Sequence, residues 1–286
     1  MKRFGVYIKL STILFLIGLI ILLYGVYDVG NRIERHLYGV KLGVTLEHKE
    51  IEGFLPGEVE KLVQEMARDK IITPKNAYID RETGEIFPEV IGQEVDVAKT
   101  VNKVMKAREN YNINLITVEL YPEVTEELLS SIHDIIGSYF TWHGSGSSRV
   151  TNIRMGTYYI NNTLLHPGEI FSFNKTVGPV TVERGFKFAP VISSGSIILG
   201  LGGGLCQVSS TLYNAVLEAE LQVVERYPHS KPVGYVPPGR DATVSYHLDF
   251  KFLNSTDSFI LIKGSIWGGR VQIDLLSNQV KDEETF

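Results

Sequence analysis

Apolar residues run from Leu10 to Tyr27, "LSTILFLIGLIILLYGVY", without a single charge. That length just suffices to cross the hydrocarbon core of a bilayer as a helix. A cleaved leader would need a small-residue step, which "YGVYDVG" lacks, and a soluble core helix would show a polar face. The run is therefore read as an uncleaved, single-pass anchor over 10–27, between a short cytoplasmic flank, 1–9, and a juxtamembrane linker, 28–39. Lys2, Arg3 and Lys9 before it nearly balance Arg32, Arg35 and Lys41 after it. Charge counting leaves orientation open, and everything that looks functional lies beyond the span.

Past the anchor the pattern becomes amphipathic. "YGVKLGVTLEH" alternates like a strand, and "PGEVEKLVQEMARDK" puts Val59, Leu62, Val63 and Met66 on one helical face. "NAYIDRETGEIFPEVIGQEVD" reads as a hairpin turning at Thr83-Gly84. Asp96 caps a second helix bearing Val97, Val101, Val104 and Met105, and "INLITVELY" closes the unit as a strand. The order is βαββαβ, a small α+β module over 40–121. It holds no Cys or His cluster, so it is a binding or spacing module.

"PEVTEELLSSIHDIIGSYFTW" predicts a helix opened by Thr125, with Glu126 and Glu127 in its first turn, and "HGSGSS" a flexible joint. Together they make a linker over 122–148. Beyond it, "TNIRMGTYYIN" reads as helix, and "LLHPGEIFSF" leads to a glycine-rich turn and an amphipathic helix. "QVVERYPH", "ATVSYHLDFKF", "SFILIKGSIW" and "RVQIDLLS" read as consecutive strands. The C-terminal domain, 149–278, is thus α+β with an antiparallel sheet, and "KDEETF" lies in an acidic tail over 279–286.

Composition narrows the function. A net charge of −5 and the lack of a basic stripe interleaved with aromatics speak against nucleic acid as a partner. The chain has one cysteine, so no intramolecular disulfide forms and the compartment is not revealed by a bridge. That cysteine, Cys206, follows Gly202, Gly203 and Gly204 at the start of a helix, where the positive helix end favours thiolate. His229 ends the next predicted strand and Asp241 begins the one after. A nucleophile, a general base and an orienting acid in that order fit a cysteine hydrolase or acyltransferase. The bland readings stand beside it: a packed cysteine, a solvated turn histidine, and an Asp241 paired with Arg240. A glycine turn before a helix also suits phosphate, but no P-loop Lys-Ser/Thr follows. His166, Cys206, His229 and His247 lack zinc spacing, so no metal and no cofactor are expected. Asn161, Asn174 and Asn254 match the short glycosylation pattern, which chance readily produces.

"HPGEIFSFNKTVGP", "GGGLCQVSSTLYNAVLEAEL" and "ERYPHSKPVGYVPPGRDATVSYHLDFKF" resemble the VanW family closely from about Val150 to Gly264. The module carrying "AYIDRETGEIFPEVIGQEVDV" resembles the peptidoglycan-binding domain that often precedes VanW domains. "SRVTNIRMGTYY" departs from the family pattern, with Thr151 where a histidine is usual. The family takes its name from glycopeptide-resistance clusters of Gram-positive bacteria, which implies an exported, cell-wall setting with the soluble part outside the cytoplasm and an antibiotic-resistance context, but names no reaction. On that resemblance Cys206, Gln207, His229, Arg240 and Asp241 belong to recurring motifs.

The reading that follows is a membrane-anchored enzyme acting on peptidoglycan stem peptides as a peptidase, amidase or transpeptidase. Cys206 is its nucleophile, His229 its base and Asp241 the orienter. The Cys206 N–H and the Gln207 side chain hold the oxyanion, Arg240 takes a substrate carboxylate, and Gly202, Gly203, Gly204 and Ser209 line the substrate. The rivals are a non-catalytic peptidoglycan-binding or scaffolding protein and, third, an accessory factor that binds lipid or a partner in a membrane complex.

Overall fold

Leu10 opens helix α1, which continues unbroken to Tyr38. The computed structural model describes residues 10–145, 147–193 and 195–278; the flank 1–9 and the acidic tail 279–286 lie outside them. The stretch Thr12–Tyr38 is long and apolar enough to cross a membrane, with none of its apolar window buried in protein. The segment expected as a linker over 28–39 is helix almost to its end, steadied by an Arg32–Asp28 ion pair one turn apart at 3.0 Å.

The chain then forms two compact units. The first comprises the chain through Lys75 together with Val90–Glu123. In it β1 (Thr45–Leu46) pairs antiparallel with β2 (Lys49–Glu50). Helix α2 (Pro56–Arg68) starts on Pro56, and Glu58 accepts from the Leu55 N–H at 2.9 Å. In chain order a hairpin comes next, β3 (Tyr78–Ile79) and β4 (Ile86–Phe87). Strand β5 (Gly92–Val95) leads into α3 (Val97–Met105), capped by Asp96 on the Lys99 N–H at 2.8 Å. The unit ends with β6 (Asn112–Ile113), parallel to β1, and β7 (Thr117–Leu120), antiparallel to β5. Val59, Leu62, Val63 and Val104 bury with Leu46, Ile51 and Ile113 in its core, as the helical spacing requires.

Arg35, near the end of α1, grips this unit. Its fork donates to both Glu58 oxygens at 2.6 and 2.7 Å and to the Gly53 carbonyl at 3.0 Å. Those bonds, from Arg35 first and then from the Leu55 N–H, hold the Glu58 carboxyl down at about 2. A depressed carboxylate contributes stability that is full above its unfolded pKa and lost as pH falls through the folded value. Glu58→Gln should therefore lower this unit's unfolding free energy at neutral pH by up to about 1 kcal/mol, the range for a half-exposed pair. Urea melts compared at pH 7 and pH 2 check this, since the difference must narrow in acid.

The second unit comprises Asn76–Glu89 and everything from Val124. The β3–β4 hairpin thus joins it and departs from the continuous module expected over 40–121. The Ala77 N–H donates to the Val124 carbonyl at 2.9 Å and Ala77 buries with Leu129 and Ile132. Thr125 caps α4 (Glu126–Ser131) through the Leu128 N–H at 3.1 Å, as expected, but the helix stops there. Residues Asp134–Trp142 form strand β8 instead of continuing it. From Ser138 the chain alternates Ser138, Phe140 and Trp142 outward with Tyr139 and Thr141 inward, and Gly137 is needed bare. A Cβ there would lie 2.3 Å from the Ala215 carbonyl.

Helix α5 (Ser147–Ile160) is followed by β9 (Thr163–Leu165), β10 (Ile170–Ser172) and α6 (Phe173–Val177). The hairpin β11 (Phe188–Ser193) and β12 (Ser196–Leu201), which the hydropathy pattern does not announce, brings the chain to α7 (Leu205–Glu218). Then come β13 (Gln222–Glu225), β14 (Lys251–Leu253), β15 (Ile260–Trp267) and β16 (Arg270–Ser277). Antiparallel sheets in the orders β8-β16-β15-β9 and β10-β14-β13 enclose α5 and α7, and the fold is α+β. The core joins Ile153 and Ile160 of α5, Val208, Leu212 and Val216 of α7, and Phe171, Phe250, Phe252, Val271 and Ile273 from the sheets.

The strand expected over "ATVSYHLDFKF" shrinks to β14 at its end. Side chains of α7 take the place of ladder partners before it. Ser210 Oγ accepts from the Ala242 N–H at 2.9 Å, and Ser209 Oγ donates to the Ala242 carbonyl at 2.6 Å.

Candidate functional site

The loop after β13 is written "RYPHSKPVGYVPPGRD", with Pro228, Pro232, Pro237 and Pro238 stiffening it. Asp241 closes it. Its Oδ2 accepts from the His229 backbone N–H and from Nδ1 of the His229 ring, both at 2.6 Å. Its Oδ1 accepts from Arg226 Nη2 at 2.9 Å, while Arg226 Nε donates to the Asp241 carbonyl at 2.6 Å. A carboxylate only accepts, so Nδ1 carries the proton of that bond. The His229 side chain is 5% exposed and that of Asp241 11%. Burial works to raise the Asp241 carboxyl, but the backbone and ring bonds from His229 outweigh it and hold the group below its usual range.

The structure brings His229 and Asp241 together, while Cys206, among the described residues, hydrogen-bonds to neither. Its Sγ donates to the Val244 carbonyl at 3.4 Å. The lowered thiol pKa expected at the helix start is reversed. Burial raises it and Asp241 adds to the rise, while the Val244 bond and the Arg149 charge offset only part. The helix-end contribution, about 0.3–1 kcal/mol, is too small to overcome burial. The Tyr235 hydroxyl is 3.5 Å from His229 Nε2. Burial, then the neighbouring Cys206, pushes the Tyr235 hydroxyl well up against an opposing bond to Ser210, so it is a proton donor.

The other residues expected to line a substrate are absorbed by packing. Gln207, 1% exposed, gives both Nε2 protons to Thr141 Oγ1 and the Trp142 carbonyl at 2.9 and 3.0 Å. Its Oε1 accepts from Arg149 at 2.8 Å, which leaves no donor for an oxyanion. Ser209 is buried on the Ala242 carbonyl. Gly203 lets the turn lie against β11, where a Cβ would meet the Pro190 carbonyl at 2.6 Å. Gly204, at φ +119°, faces Ile153 and Arg149 of α5, and Gly202, at φ +80°, faces Val180 and Leu205. What the glycine backbone approaches is this chain itself. Arg240 is exposed, and its carbonyl accepts from Asn214 at 2.7 Å.

A cavity of about 280 Å³ opens beside the dyad, walled by Arg226, His229, Lys231, Val236, Asp241 and the loop prolines. Cys206 and Arg240 are not in its wall. Among the described residues no group of three His, Cys, Asp or Glu side chains comes together as a ligand set. His166 packs on Phe259 and His247 on Tyr246. Asn161, Asn174 and Asn254 spend their amides on backbone groups. Arg226 in the cavity wall, Tyr235 against His229 and Arg149 on Gln207 are contacts that the sequence pattern does not single out. Arg226 and Tyr235 lie in the proline loop motif, where a polar residue amid prolines is the available signal. Arg149 lies 58 residues before its partner Gln207 and carries no local signal.

A family described as VanW like protein matches residues 148–276. The Uncharacterized protein YoaR of Bacillus subtilis (strain 168) is 39% identical over 226 residues, covering 77% of this chain and 74% of that protein. The Vancomycin B-type resistance protein VanW of Enterococcus faecalis is 30% identical over 116 residues, 38% of this chain and 42% of that protein. No solved structure matches the chain.

Proposed function

This chain belongs to the VanW family, and from that premise we propose that it is a membrane-anchored, extracytoplasmic cell-envelope protein that binds peptidoglycan stem peptides without cleaving them. The observation that carries the reading is the wall of the proline-loop cavity. Arg226, His229, Lys231 and Asp241 offer donors and charge to a peptide end, and the one thiol is not part of that wall. The vancomycin-resistance name of one relative directs the ligand toward the cell wall. The apolar helix α1 supports the anchor, and a cell-wall ligand requires the soluble part to face outward. The detergent-purified full chain should co-sediment with isolated sacculi, and Lys231→Glu, at the exposed rim, should lose most of that binding. Sedimentation that is absent, or indifferent to Lys231→Glu, would sink the binding role.

A cysteine-dependent hydrolase or acyltransferase is the second reading, favoured by the line from Asp241 through His229 to the Tyr235 hydroxyl beside Cys206. The two separate on the thiol. Native Cys206 should alkylate slowly, with its onset above the ordinary thiol pKa of about 8.5 and unmoved by His229→Ala. A fast plateau below pH 8 that shifts upward in His229→Ala would establish the enzyme instead.

A further inference from the structure

The outward face of the β8–β16–β15 sheet carries side chains that the proline-loop site does not use. Register sets Trp142, Arg270 and Trp267 in one row across the three strands, Phe140, Gln272 and Ser265 in the next, and Ser138, Asp274 and Lys263 in a third. Trp142 is 62% exposed, Trp267 60% and Phe140 42%. Contiguous exposed aromatics on a folded surface mark a place where something binds. The Arg270 guanidinium lies 4.2 Å from the Trp267 ring centre, 4.6 Å from Phe140 and 5.6 Å from Trp142. Among the described residues it has no carboxylate partner and no side-chain hydrogen bond, so the rings hold it in place while its N–H edges stay free. Two rows on, Ser138 donates to Asp274 at 2.6 Å, and Gln272 bonds both at 2.8 and 2.7 Å, a line of polar groups already aligned.

We infer that this face is a binding site for a glycan strand whose sugars carry carboxylates. Pyranose rings present flat C–H faces that meet the negative faces of Trp142 and Trp267. A ring carboxylate pairs with the free fork of Arg270, the one unpaired cation among the aromatics, and sugar hydroxyls meet Ser138, Gln272 and Asp274. The rows from Trp142 to Ser138 cover about 13 Å of strand, room for more than one sugar. A uniformly anionic lipid surface fits less well, because Asp274 stands on the same face. The inference does not depend on the ligand of the proline loop.

Trp142 and Trp267 are the only tryptophans of the chain, so their emission reports this face alone. The full-length protein in phosphatidylcholine nanodiscs, titrated with hyaluronan hexasaccharide, should show a saturable change in emission. Trp267→Ala and Trp142→Ala should each weaken it. Arg270→Gln, which leaves both reporters in place, should weaken it about tenfold, the effect of one charge-assisted bond. Chitohexaose, which has no carboxylate, should bind the unaltered protein no better than hyaluronan binds Arg270→Gln. A flat titration overturns the inference, as does binding equal in Arg270→Gln. An emission change driven by phosphatidylglycerol in the disc, and not by the saccharide, overturns it in favour of lipid.

Discussion

Asp241→Ala should destabilise the second unit by about 3 kcal/mol at neutral pH, the low end for removing one partner of a buried charged cluster. Its carboxylate receives the His229 backbone N–H, the His229 ring and Arg226, so one truncation strips three donors and releases the loop that forms the cavity. Arg226 keeps the Asp241 and Gly239 carbonyls, which stops the cost from going higher. The pH dependence has a definite sign. The folded carboxyl lies below its usual range. Its stabilisation is therefore full above the unfolded value of about 3.9 and fades as pH falls through the lower folded one. Denaturant melts followed by tryptophan emission report this unit, because Trp142 and Trp267 both lie in it. Wild type and Asp241→Ala should differ most near pH 7 and converge in acid. Coincident melts at pH 7 would make the carboxylate a bystander.

Gly203→Ala should cost a similar amount, about 3 kcal/mol, the upper end for overpacking. The new Cβ would meet the Pro190 and Ala189 carbonyls at 2.6 and 2.8 Å. Both are backbone atoms of the β11–β12 hairpin and cannot swing aside. This prediction separates two meanings of a glycine-rich turn. If the turn cradled a ligand, Gly203→Ala would fold normally and lose binding. If the glycine is there for close packing, the variant melts early, and Ser209→Ala, which removes a buried bond to Ala242, weakens the same unit by about 1 kcal/mol.

Much of the local architecture was legible. Asp96 and Thr125 cap the helices they were expected to cap, because a capping side chain reaches an N–H only three residues ahead. The buried face of α2 follows its 3.6-residue spacing. Asp134–Trp142 reads as helix in the sequence because it continues directly from a well-capped helix and is rich in apolar residues. What makes it a strand is pairing with β16, more than a hundred residues later in the chain. The hairpin at Thr83-Gly84 turns where expected, with Asp80 accepting from the Glu82 and Thr83 N–H groups at 3.0 and 2.7 Å. Its home in the second unit depends on Val124 and Asn76, a pairing that local pattern does not encode.

The site divides along the same line. Local sequence is enough for the apolar helix, the helix entering at Leu205, and a proline-rich loop short enough for Asp241 to close on His229 twelve residues away. Each is a matter of periodicity, capping or a short loop, and such terms act among near neighbours. The state of Cys206 and the meaning of the glycines are fixed by contacts between distant segments. Thiol ionisation depends on which remote atoms surround the sulfur, here the Val244 carbonyl, Arg149 and Asp241, and on how far burial removes water. The glycines at 202, 203 and 204 are bare because α5 and β11 press against them. Steric exclusion of that kind exists only once distant segments have been brought together.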